Sequence, residues 1–200
     1  MAITKLNNKA VANITTLPVA LGDMVFISSA TASSSASIEF TLGNYKEYQF
    51  FFVNIHPANN RPGFEFNIST DGGANYNVTK TTTFFRASHG EGDQSPTLSY
   101  VTGDDQAQQT GNTRISPSVS NQNDSGLSGY LHLFNPSSTT FVKHFISCNN
   151  VMYEDPSAVR YSWQSFVAGY GNTTSAINSV KFNYASGNID SGKILMFGIN

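Results

Sequence analysis

The last two dozen residues constrain the fold most. Val180, Phe182 and Tyr184 alternate with Ser179, Lys181 and Asn183, the two-residue period of a strand with one buried face. After the polar run Ser186–Gly192, which reads as a turn, Ile194-Leu195-Met196-Phe197-Gly198-Ile199 is apolar at both parities. A strand that is apolar on both sides must be covered on both sides. The chain's end therefore reads as a central strand, or as one held at a subunit interface, closing a pair with the strand before it.

A second apolar run, Tyr48 to Ile55, reads as a core strand against that pair. His56-Pro57 to Pro62-Gly63 then supplies two prolines, which are expected to end any ladder. Phe64, Phe66 and Ile68 resume the alternation. Asp71-Gly72-Gly73 reads as a hairpin turn leading into Asn75–Phe85. Gly129–Phe134 and Thr139–Ser147 read as a hairpin around Asn135-Pro136-Ser137-Ser138, and Tyr161–Val167 as a further strand. Helix formers never cluster at a 3.6 period. With 12% charged residues and Ser, Thr, Asn and Gly in their place, the chain is expected to be all-β. Eight to ten short strands with frequent turns predict a two-sheet antiparallel sandwich of jelly-roll type, or a barrel.

Two segments fall outside that pattern. Residues 1–22 hold apolar residues without a period and read as an extended attachment arm before a domain at 23–200. Arg86–Ser128 is mostly polar and reads as a long loop in which Asp104–Gln109 makes one helical turn. Loops on a rigid scaffold are where contact residues tend to sit, so Tyr100 and Arg114 are the candidate recognition residues, offering an aromatic face and a guanidinium to a sugar.

A net charge of -2 without a basic block argues against nucleic acid. The opening residues lack the apolar core of a signal peptide and no run is long enough to span a membrane, so synthesis in a cytoplasm is expected. Cys148 stands alone and is expected to be a buried, inert thiol. His132 and His144 lie on paired strands. A two- or four-residue turn would put them on opposite faces, which argues against a shared metal. His89-Gly90-Glu91-Gly92-Asp93 offers imidazole and carboxylates in a loop that is equally well explained by solvation. The acids do not pair as a glycoside hydrolase needs. Five Asn-X-Ser/Thr triplets, at Asn13, Asn67, Asn77, Asn123 and Asn172, are those an Asn- and Thr-rich chain gives by chance. No catalytic residue, cofactor or metal is implied.

Ser69-Thr70-Asp71-Gly72-Gly73-Ala74-Asn75-Tyr76 resembles the Asp-box turn of sialidases and other β-proteins. The resemblance implies a structural turn in which Ser69, Asp71, Gly73 and Tyr76 act together. More widely, several stretches resemble small β-rich virion proteins of tailed phages of marine and freshwater bacteria. They are Gly43–Tyr48, Asn54–Ala58, Ser69–Tyr76, Leu131–Ser138, Gly169–Thr174 and Ser186–Ile199, with an opening Met1–Leu6 similar to phage fibre proteins. That resemblance implies a non-enzymatic virion subunit of tail-fibre or head-appendage type, usually oligomeric. The doubly apolar strand and the surplus of aromatic residues point to a homotrimer, the unperiodic arm to attachment to other virion proteins, and Tyr100 and Arg114 to host surface glycan, with no nucleic-acid or membrane partner expected. Two alternatives stand beside it: a capsid decoration protein, and a carbohydrate-binding module or glycan hydrolase.

Overall fold

The computed structural model describes residues 24–200, so the expected arm lies outside the described residues. Twelve strands and no helix form among them: β1 Met24–Thr31, β2 Ile38–Thr41, β3 Glu47–Pro57, β4 Phe64–Ser69, β5 Lys80–Gly90 and β6 Thr97–Tyr100. Then follow β7 Thr113–Ser116, β8 Leu127–Phe134, β9 Lys143–Glu154, β10 Arg160–Gly171, β11 Ser179–Tyr184 and β12 Ile189–Ile199. They make an eight-stranded antiparallel sheet, β1-β12-β3-β8-β9-β10-β5-β6, and a four-stranded one, β2-β11-β4-β7. The expected two-sheet sandwich is what the chain forms.

Its core is the meeting of alternating faces. Tyr48, Phe50 and Phe52 of β3 face Phe64, Phe66 and Ile68 of β4 and Val180 and Phe182 of β11, all buried. Phe182 is the hub: its ring lies 5.2 Å from both Phe50 and Phe52, 6.1 Å from Phe64 and 6.3 Å from Phe40. Such edge-on and stacked contacts add to what burial alone contributes.

Four expectations are corrected by the strand order. The closing strands do not pair: β11 lies in the small sheet and β12 in the large one, so Ala185–Asn188 carries the chain between sheets. The polar run is only partly a turn, because Ile189 and Ser191 already pair with Pro57 and His56 through two register shifts. That same pairing carries the ladder through His56-Pro57. Likewise β4 and β5 are not a hairpin. The Asp71 turn links one sheet to the other.

Arg86–Ser128 is also not one loop. It holds the end of β5, all of β6 and β7, and the start of β8, and Asp104–Gln109 forms turns without a helix. Polar residues do here what apolar ones do elsewhere. Asn149 Nδ2 and Ser165 Oγ both donate to the carbonyl of Ile115, at 3.0 and 2.7 Å, tying β7 to the large sheet from inside. Periodicity in apolar residues gives no sign of strands held this way.

The doubly apolar end of the chain is a central strand, as its composition requires. Ile194 and Met196 face the core. Leu195, Phe197 and Ile199 face the other side of the large sheet, where Phe26 and Phe51 lie edge-on to Phe197 at 5.5 and 5.6 Å.

Candidate functional site: the outer face of the large sheet

The small sheet covers one face of the large one, and the register assigns residues to the other. One row of neighbours crosses all eight strands: Ser29, Leu195, Phe51, Tyr130, Cys148, Phe166, Phe85 and Tyr100. None carries a charge. The next row runs Phe26, Phe197, Gln49, His132, Ile146, Ala168 and Thr83. Phe85 is 44% exposed, Phe166 46%, Ile146 45% and Phe26 54%. A soluble chain rarely leaves so continuous an apolar band in water unless something binds it. Side chains two apart on each strand make the band, the period that fills the core on the opposite face.

Hollows lie along this face. A groove of about 500 Å³ is lined by Thr81, Phe134, His144, Ile146 and Tyr170, and its walls are almost wholly apolar. At the opposite end, His89, Glu91, Asp93, Asn150 and Ser162 line a more polar hollow of about 350 Å³. The face is thus apolar along the middle and polar at one end.

Tyr100 sits at the β6 edge of this band, its ring 5.2 Å from Phe85. Its hydroxyl donates to Asp105 Oδ2, and that bond to a carboxylate raises its pKa. Arg114 is on β7 in the small sheet, where its guanidinium pairs with the Asp104 carboxylate. The two residues thus bond to neighbouring acids, Asp105 and Asp104, yet Arg114 takes no place in the apolar rows. Tyr100 belongs to the face, and Arg114 to the side of the sandwich.

His132 and His144 require a correction. Leu133 pairs with Phe145 across a loop longer than four residues, so both histidines point to the outer face. Each has a neighbour of its own. His132 Nε2 meets Glu47 Oε2 at 2.7 Å, and His144 packs beside Tyr170. Among the described residues no group of three His, Cys, Asp or Glu side chains is placed to hold a metal ion. His89, near the end of β5, meets Asp93 Oδ1 of the exposed β5–β6 turn through Nε2, at 3.1 Å. Cys148 is half-buried on the outer face, not within the core, and Gln164 Nε2 donates to its sulfur at 3.3 Å.

Ser69, Asp71, Gly73 and Tyr76 come together in one turn. Ser69 Oγ donates to Asp71 Oδ1 at 2.7 Å and accepts from the Gly73 amide at 3.0 Å. Asp71 Oδ1 accepts the Asn75 amide at 2.9 Å. The bonds from Ser69 and Asn75 hold the Asp71 carboxyl down at about 2. Gly72 and Gly73 take φ of 78° and 90°, which side chains disfavour. Tyr76 tucks beneath, its hydroxyl 2.8 Å from Ser179 Oγ, with Lys181 Nζ 4.6 Å from the ring centre. The polar groups of the turn bond to one another or to Asn178 and Ser179 where β11 begins, which fixes the chain's passage between sheets.

Sequence reasoning missed the buried lysines. Lys80 and Lys143 are fully buried on the inner face, on either side of Gly171 in the ladder. Thr79-Lys80-Thr81 reads as ordinary strand surface, and only the register shows which way Lys80 points.

Comparison with protein-family models, with curated proteins and with solved structures gave no match.

Proposed function

We propose that this chain is a non-enzymatic structural subunit of a tailed-phage virion, of tail-fibre or head-appendage type, that self-associates through the outer face of its large sheet. The observation that carries the reading is the uncharged row from Leu195 to Tyr100, which crosses seven neighbouring strands with its aromatic members partly in water. Stable association needs on the order of 800 Å² from each partner with an apolar centre, and a face seven strands wide has that extent. A second copy of the same chain is the partner that fits best, because two such uncharged rows meet without leaving a buried charge unpaired.

The resemblance of Gly43–Tyr48, Leu131–Ser138 and the chain's end to virion proteins supports the phage assignment and an oligomeric state, and the doubly apolar end strand with the aromatic surplus supports a trimer. The arm at residues 1–22 is the proposed attachment to other virion proteins. Tyr100, on the edge strand β6 where the band ends, lies at the rim of that interface, where host surface glycan would stack on its ring.

Quantitative mass spectrometry of purified particles tests this. A few copies per particle, recovered with the tail or an appendage, is the expected result. Abundance matching the major capsid protein would replace the appendage with capsid decoration. Absence from particles would refute the virion reading.

A further inference from the structure

The geometry points to a covalent cross-link inside the sandwich: an amide between the side chains of Lys80 and Asn67 that staples β5 of the large sheet to β4 of the small one. Lys80 is fully buried and Asn67 is 1% exposed. Lys80 Nζ lies 2.7 Å from Asn67 Oδ1 and 2.8 Å from the carbonyl of Val78. Among the described residues no carboxylate is within ion-pair distance of Lys80. An ammonium without a counter-ion is costly in such a place, and burial lowers the Lys80 pKa to about 8. A neutral amine has two N–H bonds, one for each of those oxygens, and keeps a lone pair. That lone pair is a nucleophile, and the carbon bonded to Oδ1 is its electrophile.

The amide of Asn67 is held for this reaction on both sides. Its Oδ1 also accepts the backbone N–H of Ile68 at 2.9 Å, a fixed donor for the charge that oxygen gains during attack. Its Nδ2 is ringed by acceptors: the carbonyls of Tyr76 at 2.8 Å and Thr110 at 3.2 Å, and Asn112 Oδ1 at 3.1 Å. Asn112 is itself oriented by donating to Glu65 Oε2 at 3.1 Å. The carboxamide therefore cannot rotate away, and amine and carbonyl stay in contact for the life of the fold. Such enforced proximity replaces the encounter that makes amide aminolysis slow in water.

The step balances without a cofactor. Lys80 Nζ bonds to Asn67 Cγ while the carbonyl electron pair moves onto Oδ1, beside the Ile68 amide. One proton passes from Nζ to Nδ2, the carbonyl reforms, and the bond from Cγ to Nδ2 breaks. Nitrogen leaves as ammonia, one amide is exchanged for another, and nothing is oxidised or reduced. Lys143 provides the internal contrast. It is equally buried, but its Nζ meets only the backbone carbonyls of Phe141 and Thr173, at 2.6 and 3.3 Å, and has no side-chain amide to attack.

The purified full chain is denatured and weighed intact beside Lys80→Arg and Asn67→Ala. The parent is expected to fall one ammonia below its sequence mass, and each variant to match its own. Chymotrypsin, by cutting after Tyr76, opens the chain between the two residues. The peptides bearing Asn67 and Lys80 should then stay joined in the parent alone. A parent at full sequence mass with two separate peptides would overturn the inference, whether or not the variants fold. Ammonia loss that persists in Lys80→Arg would overturn it too, by placing the loss elsewhere.

Discussion

Phe182 gives the sharpest test of how the two sheets are held together. Its ring is fully buried in the small sheet and meets Phe50 and Phe52 of the large one and Phe40, Phe64 and Phe66 of its own. Phe182→Ala removes the hub and leaves a cavity that five rigid neighbours cannot fill by rotating. Truncations of this kind cost about 3–5 kcal/mol. Against a total stability on the order of 5–15 kcal/mol, that is a large share. For a chain of this size it corresponds to a fall in Tm of about 6–20 °C. Phe141→Ala, at a ring 67% exposed, is the matched control and should change stability by less than about 0.5 kcal/mol. Urea denaturation followed by tryptophan fluorescence, at a concentration low enough to suppress association, measures both. A loss under about 1 kcal/mol for Phe182→Ala would mean that the aromatic cluster does not join the sheets.

Gly129→Ala should destabilise by about 1–3 kcal/mol in the same assay, because the new methyl carbon would come 2.3 Å from the Cys148 carbonyl oxygen and 2.7 Å from Asn149 Cα. Asp71→Asn should lower stability at neutral pH. The folded Asp71 titrates at about 2 against an ordinary 3.8, so its contribution is present above 3.8 and is lost as pH falls towards 2. Melting curves of the variant should thus converge on the parent's in that acid window, and a constant gap down to the acid limit would disprove the assignment. Tyr100→Ala and Arg114→Ala, made separately, should keep their melting temperatures within a few degrees. Adsorption to host cells should weaken for Tyr100→Ala more than for Arg114→Ala, since only Tyr100 lies on the outer face. Equal adsorption of both and the parent would move glycan recognition off this edge.

The sandwich was legible because its inward positions alternate without interruption. Tyr48, Phe50 and Phe52, then Phe64, Phe66 and Ile68, then Val180, Phe182 and Tyr184 name the core on sight. The Asp71 turn was legible because its residues bond to one another within eight positions. What was not legible depends on distant pairing. Ser186-Gly187-Asn188 looks like any hairpin turn, and only the partners of β11 and β12 show that the chain changes sheets there. The face shared by His132 and His144 follows from the register of Leu133 with Phe145, which a loop of unknown length leaves open. Tyr100 reads as part of a polar loop and lies on β6. Phe85 and Phe166 read only as strand residues, because alternation says which residues share a face and not which face is covered. Asn67 drew notice only as a chance glycosylation triplet, since nothing in Asn-Ile-Ser shows a lysine thirteen residues on.

The outer face is the centre of the functional account, and light scattering of the full chain at micromolar concentration tests it most directly. Phe166→Asp, which sets a charge in the middle of the uncharged row, is measured beside the parent. The account predicts a homotrimer for the parent and a folded monomer, of unchanged circular dichroism, for the variant. A monomeric parent, or a variant that assembles as the parent does, would contradict it.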